Sequence, residues 1–286
     1  MKTLILLETG QKFTMHQKTN NIINTINNRL SVQISLNGLS FLVTNPASED
    51  PFFFKEKVLD HSTTPEELLM DIESIMFKND ILNTDFAEVS VVYSTPIYSL
   101  VPAPLFDETK ASEYLKFNSK ILANDYMAHD LIENHNIIVV YVPFMNINNF
   151  FFEKYGSFDY YHSISIMLKT ILENEKYSLP KMYLHFQKNS FDCIVLKNGE
   201  LQLCNSYSYK TPEDFIYYTL FCMEQLNLNP ETLPVMFCGE IEKDDKNFKI
   251  AYAYIRNLEF MDSNFSKAKH LDNDKPHNHF ILKHML

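Results

Sequence analysis

Leu30-Ser31-Val32-Gln33-Ile34-Ser35-Leu36-Asn37-Gly38-Leu39-Ser40-Phe41-Leu42-Val43-Thr44 is the stretch on which the architecture turns. Apolar and polar residues alternate on both sides of Asn37-Gly38. A period of two marks a strand, because successive side chains point to opposite faces. Asn-Gly between two such runs predicts a hairpin with a type I′ turn, whose central residues need positive φ. Residues 52–59 read as a third strand. Thr64-Pro65-Glu66-Glu67 then reads as a helix start, with an N-cap, a proline at the first helical position and the acid of a capping box. Leu68, Leu69, Ile72, Ile75 and Met76 follow as an apolar stripe at helical spacing.

Further along, 88–93 predicts a strand. Pro96, Pro102 and Pro104 forbid a long helix after it. A short helix over 107–117 precedes paired strands at 126–132 and 137–142, with Glu133-Asn134-His135-Asn136 as the turn. Helices at 147–155 and 163–174 enclose a short strand at 158–162. The order then starts again. Three strands at 182–186, 191–196 and 200–205 lead into Thr211-Pro212-Glu213-Asp214, a second helix start of the same design. Its stripe is read as Phe215, Tyr218, Phe221 and Cys222. A strand at 233–238, a helix at 246–254 and a strand at 257–261 complete the repeat.

This order predicts an α/β protein of two similar lobes. The expected layout is a loose asparagine-rich leader over 1–29 and lobe I over 30–176, with an inserted segment at about 96–135. Lobe II is expected over 177–262 and a polar tail over 263–286. Met15 is an alternative start of translation to Met1.

With 286 residues, 45% of them hydrophobic and 14% aromatic, the chain has the composition of a packed protein. A net charge of -11 argues against nucleic acid or an anionic membrane as a partner. Lys243, Lys246 and Lys249 read as the solvated face of a helix. No run of about 18 uncharged apolar residues occurs, and the N-terminal apolar run is too short for a signal peptide. A cytoplasmic protein with no membrane insertion is expected. Cys193, Cys204, Cys222 and Cys238 lack metal-ligand spacing and read as buried free thiols.

Three antiparallel strands followed by helix, strand, helix and strand make a ribonuclease-H-like lobe. Two in tandem make the actin-like ATPase fold, with mixed sheets. The chain resembles an uncharacterised bacterial family, a domain of unknown function with that fold. The resemblance rests on 30–41 as quoted above and on Leu203-Cys204-Asn205-Ser206-Tyr207 leading into Thr211-Pro212-Glu213-Asp214-Phe215. It rests also on Cys238-Gly239-Glu240 with Tyr254-Ile255-Arg256-Asn257. In order of elements, though not in motif, the layout is also similar to the actin-like cytoplasmic component of type IV pilus assembly.

The resemblance implies an ATP site gripped by two hairpin turns, with carboxylates holding magnesium through water. The expected aspartate-x-glycine falls on Ser35-Leu36-Asn37 and on His185-Phe186-Gln187, where acid and glycine are both missing. Magnesium needs hard oxygen ligands and phosphate needs close backbone approach. Neither a magnesium–ATP cofactor nor a nuclease's two-metal chemistry is therefore expected. Ser35, Asn37, Gly38, Lys188, Asn189, Ser190, Gly239 and Glu240 remain the nucleotide-cleft candidates. Gly239 reads as a tight turn before it reads as a nucleotide contact, and Lys188, Asn189 and Ser190 as ordinary turn residues. No catalytic or metal-binding residue is assigned.

His129, Asp130, Glu133 and His135 crowd one hairpin and read as exposed polar residues rather than metal ligands. His277, His279 and His284 read as part of a flexible terminus. Tyr217 and Tyr218 offer a ring to a partner. The function expected is a non-catalytic scaffold that binds another protein. The alternative is a genuine ATP-binding protein whose phosphates are held by backbone N–H groups at Asn37-Gly38 and Lys188-Asn189.

Overall fold

The computed structural model describes residues 27–45, 51–59, 63–116, 121, 122, 125–174, 179–261, 271 and 275–285. The chain divides into two compact units, the first running to Lys169 and taking in Met285 again at the far end, the second running Thr170–His284. The leader read over 1–29 lies outside the described residues up to 26. Its last residue, Arg29, opens the first strand and is ion-paired to Glu88 at 2.9 Å.

In chain order the first unit comprises β1 (Arg29–Ser35), β2 (Gly38–Thr44), β3 (Pro51–Val58), α1 (Pro65–Lys78), β4 (Glu88–Tyr93), β5 (Tyr98–Pro102) and α2 (Ala111–Lys116). It continues with β6 (Ala128–Ile132), β7 (Ile137–Tyr141), α3 (Met145–Tyr155) and β8 (Asp159–His162). The helix α4 (Ser163–Asn174) carries the chain across the division. The main sheet has the order β3-β2-β1-β4-β8, antiparallel among the first three strands and parallel thereafter. Val32, Ile34, Phe41, Val43 and Val91 are wholly buried on it. Beside it lies a three-stranded antiparallel sheet, β5-β7-β6.

The proline-rich segment contributes more than a break in helix. Residues 98–102 form β5, an edge strand ending on Pro102, a position where a missing N–H costs the ladder nothing.

The second unit repeats the first with β9 (Lys181–Gln187), β10 (Ser190–Lys197), β11 (Glu200–Ser208), α5 (Pro212–Gln225), β12 (Pro234–Gly239), α6 (Lys246–Tyr254), β13 (Asn257–Phe260) and α7 (Phe280–His284). Its sheet order, β11-β10-β9-β12-β13, is that of the first sheet, with parallel pairing again beginning between the first and fourth strands of the unit. Thr64 and Thr211 both close reciprocal capping boxes, with Glu67 and Asp214 respectively.

The duplication reaches single hydrogen bonds. Leu59 N–H donates to the Asn37 carbonyl at 2.8 Å, and Tyr209 N–H donates to the Asn189 carbonyl at 3.0 Å. In each unit the residue just past the third strand thus caps the tip of the first hairpin.

Three expectations need correction. The first hairpin exists, but its loop is Leu36-Asn37, with Gly38 already paired to Ser35, and none of the three has positive φ. Ser35 Oγ closes the turn instead, accepting from Asn37 N–H and donating to the Gly38 carbonyl, both at 3.2 Å. Gly38 lies close to the neighbouring strand, where a Cβ would meet the Lys57 carbonyl at 3.0 Å, tighter than an ordinary contact. The positive-φ pair occurs at the other Asn-Gly, where Asn198 and Gly199 stand at 56° and 76° between β10 and β11. On α5 the buried stripe is Phe215, Ile216, Thr219, Cys222 and Met223, while Phe221 is exposed. The end of the polar tail is packed, with Phe280, Ile281 and Leu282 buried on α7.

Candidate functional site

Gly239 ends β12 at φ +85°, beside β9 in parallel register with Phe186. A Cβ there would lie 2.2 Å from the Phe186 carbonyl oxygen and 3.0 Å from the His185 ring. The backbone around it is committed. Gly239 N–H donates to the His277 carbonyl and Glu240 N–H to the Phe186 carbonyl, both at 2.9 Å. His277, read as part of a flexible end, is buried; its Nε2 lies 2.7 Å from the Ile241 carbonyl and its ring packs on Phe260 at 4.2 Å. Lys275 pairs with Glu242. The C-terminal segment therefore occupies the backbone edge that follows Gly239, which corrects the expectation of a free terminus. His284 is half-buried, and this partial desolvation holds its imidazole below the usual pKa.

Lys188 and Asn189 form the two-residue turn between β9 and β10, and Ser190 opens β10 opposite Gln187. The β9–β12 register brings this turn to the same end of the second sheet as Gly239 and Glu240. Ser35, Asn37 and Gly38 belong to the first unit, where Ser35 Oγ takes the Asn37 N–H.

Two buried carboxylates, neither assigned a role from sequence, organise polar clusters. Asp192 on β10 faces His185 across the pair, with Oδ2 3.0 Å from His185 Nδ1 and 3.3 Å from Gln187 Nε2. Ser206 Oγ donates to its other oxygen. An acid is thus present beside the position where an aspartate is missing from β9, but one strand over and engaged by three side chains. A lone aspartate in the apolar run Phe191-Asp192-Cys193-Ile194-Val195-Leu196 was the available signal.

In the first unit Asp130 is only 3% exposed and His129 is also buried, against the expectation of an exposed cluster. Both lie on β6 rather than in the following turn, and His129 packs its ring on Phe106 at 4.8 Å. Asp130 accepts from His162 N–H at 2.8 Å, from Ser165 Oγ and from Tyr141 Oη at 3.1 Å. Among the described residues no group of three or more His, Cys, Asp or Glu is arranged to hold a metal ion.

Burial raises the Asp130 carboxyl to about 7 despite those three donors. The folded state then binds this proton more tightly than the unfolded chain, whose aspartates titrate near 4. The stabilisation is full below about pH 4 and is lost as pH rises through about 7. Asp130→Asn can keep the shape: its carbonyl can accept from His162 and Ser165, while Tyr141 Oη has the Tyr160 carbonyl at 3.3 Å. Urea unfolding of the first unit between pH 4.5 and 8 is expected to show a decline on the order of 3 kcal/mol that Asp130→Asn removes. Equal slopes in the two proteins would refute this.

The paired mixed sheets, each three antiparallel strands extended by two parallel ones, define the actin-like ATPase fold. The chain belongs to the family described as "Protein of unknown function (DUF3822)", whose model matches residues 17–258. It is similar to a Bacteroides thetaiotaomicron VPI-5482 protein of actin-like ATPase fold and unknown function. That likeness has a TM-score of 0.74 and 21% identity, over 84% of this chain and 94% of the other. A PilM-PilN type IV pilus biogenesis complex is similar in fold, with a TM-score of 0.55 and 10% identity over 83% and 89% of the two chains. No curated protein matches the chain. No helix among the described residues is long and apolar enough to cross a membrane.

Proposed function

We propose that this chain is a non-catalytic scaffold that binds another protein through an actin-like fold in which the nucleotide-gripping positions are turned to structural use. The observation that carries the reading is the commitment of backbone donors. Gly239 and Glu240 give their N–H groups to His277 and Phe186, and Asn37 gives its own to Ser35. A phosphate bound there would have to break these bonds, each worth about 1 kcal/mol net and more when a buried donor is orphaned. The side chains at the turns, Ser35, Asn37, Lys188, Asn189 and Ser190, supply no carboxylate for magnesium. Asp192, the nearest acid in the second unit's hairpin, is held by His185, Gln187 and Ser206.

Support for a protein partner comes from the likeness to a type IV pilus protein whose structure is that of a two-protein complex. Tyr217 and Phe221 add to it, stacked on each other at 6.1 Å and exposed on α5, whereas Tyr218 turns inward to stack on Tyr207.

Titration of the purified protein with ATP and ADP, with and without magnesium, is expected to give no binding heat and no thermal stabilisation at millimolar nucleotide. Magnesium-dependent stabilisation would instead establish the alternative, an ATP-binding protein using hairpin N–H groups. Affinity purification under gentle conditions is expected to retain a partner in constant stoichiometry, and recovery of the chain alone would count against the scaffold.

A further inference from the structure

An edge strand offers its outer N–H and C=O groups to any other strand unless something guards it, and proteins guard their edges with charges, prolines, short strands or cover. β3 starts on Pro51 and carries Lys55, Glu56 and Lys57. β8 and β13 have only four residues each. In the three-stranded sheet β5 is short and ends on Pro102, and β6 is buried at every position but Leu131.

β11 differs from all of these. It is nine residues long and, among the described residues, lies at the end of its sheet with β10 as its one neighbouring strand. From Leu201 to Tyr209 the chain holds neither a charge nor a proline. No residue of β11 is buried, whereas β10 is buried from Phe191 to Leu196. A bulge interrupts the pairing with β10 between Leu201 and Leu203, and from Leu203 to Ser208 the register is regular.

This regular stretch is complementary to itself. A two-fold axis through Asn205, perpendicular to the sheet, sets the strand antiparallel to its own copy. Asn205 then faces the second copy's Asn205, Leu203 faces its Tyr207, and Cys204 faces its Ser206. Leu203 and Tyr207 are half-buried against the core beneath α5, with Tyr207 stacked on Tyr218 at 5.0 Å. Their pairing carries that apolar row across the seam. The two ends of the uncharged stretch have opposite signs, Glu200 before it and the exposed Lys210 after it, so each Glu200 approaches the second copy's Lys210. Copies of a chain with net charge -11 repel one another, and this edge is a place where they can meet without like charges in contact.

We propose that the second unit pairs with a second copy of this chain through β11, edge to edge and antiparallel about Asn205, joining two five-stranded sheets into one continuous sheet.

Sedimentation velocity of the full chain over a range of concentrations is expected to show a monomer–dimer equilibrium. Asn205→Lys sets two ammonium groups opposite each other on an exposed position, and is expected to leave only monomer while the urea unfolding of the second unit is unchanged. Glu200→Lys is expected to weaken the dimer, most at low salt, and adding Lys210→Glu in the same chain is expected to restore it. Asn205→Cys in a Cys204→Ser background is expected to cross-link the dimer on mild oxidation, since opposed Cα atoms in an antiparallel pair lie about 4.5–5.5 Å apart, within reach of a disulfide. A chain that stays monomeric at every concentration would overturn the proposal. So would a dimer that survives Asn205→Lys, or a monomeric chain from which that substitution strips a co-purified protein, which would give the edge to that protein instead.

Discussion

Gly239→Ala is expected to destabilise the second unit by about 5 kcal/mol, enough to abolish its cooperative unfolding transition. Two costs combine. At φ +85° an L side chain is strained by about 1–2 kcal/mol. The larger cost is steric, because a methyl carbon 2.2 Å from the Phe186 carbonyl cannot be accommodated by rotating a side chain. The obstacle is backbone in the central strand β9, so β12 must move away. That movement breaks the bonds from Glu240 N–H to Phe186 and from Gly239 N–H to His277, and it unseats the C-terminal segment. Gly156→Ala separates the two costs. Gly156 stands at φ +78° and ψ -122°, but a Cβ there meets nothing within 4 Å, so only the conformational cost of about 2 kcal/mol is expected. Urea unfolding of both variants checks the ratio, and similar losses would show that conformational strain alone governs Gly239.

This has a bearing on function. A bulkier residue at Gly239 cannot serve as a probe of nucleotide contact, because loss of binding and loss of fold would coincide. The residues to alter are those that fill the edge from outside, above all His277, whose ring and carbonyl engage Ile241 and Gly239.

Much of the fold was legible because the patterns that decide it are local. Alternation in β1, β2, β9 and β10 and the twin capping boxes at Thr64 and Thr211 are readable within a few residues of chain. Their repetition named the architecture. The failures were non-local. Asn-Gly at 37–38 satisfied the I′ rule on paper, yet a serine hydroxyl and the passage of Leu59 past the turn select another geometry. The tail seemed free because its polar letters hid that His277 and Lys283 are buried, with Lys283 Nζ on the Pro276 carbonyl at 3.0 Å. Asp130 was read as an exposed turn residue, and Asp192 was passed over, for the same reason. A buried carboxylate is recognisable only when its donors, drawn from other strands and helices, are in view.

Phe215→Ala is expected to cost the second unit about 4 kcal/mol, whereas Phe221→Ala, one turn and a half along the same helix, is expected to cost less than about 1 kcal/mol. Both residues fit an apolar stripe in the sequence, so helical spacing alone ranks them together. Phe215 is fully buried, with ring centroids 5.1 Å from both Phe186 and Phe191 and 6.5 Å from Phe237. These rings belong to β9, β10 and β12, so one side chain of α5 seals the helix against three strands at once. Truncation there removes the transfer energy of the ring and leaves a cavity that rigid strands cannot collapse to fill. Phe221 is 43% exposed and its ring contact is with Tyr217, itself exposed. Its loss leaves no void. If Phe221 serves a partner, the same substitution should weaken partner retention with stability nearly unchanged, and Phe215→Ala should do the reverse at temperatures where the unit remains folded. Chemical denaturation and partner binding measured side by side on the two variants test this division, and equal stability losses would show that the helix is buried on both faces.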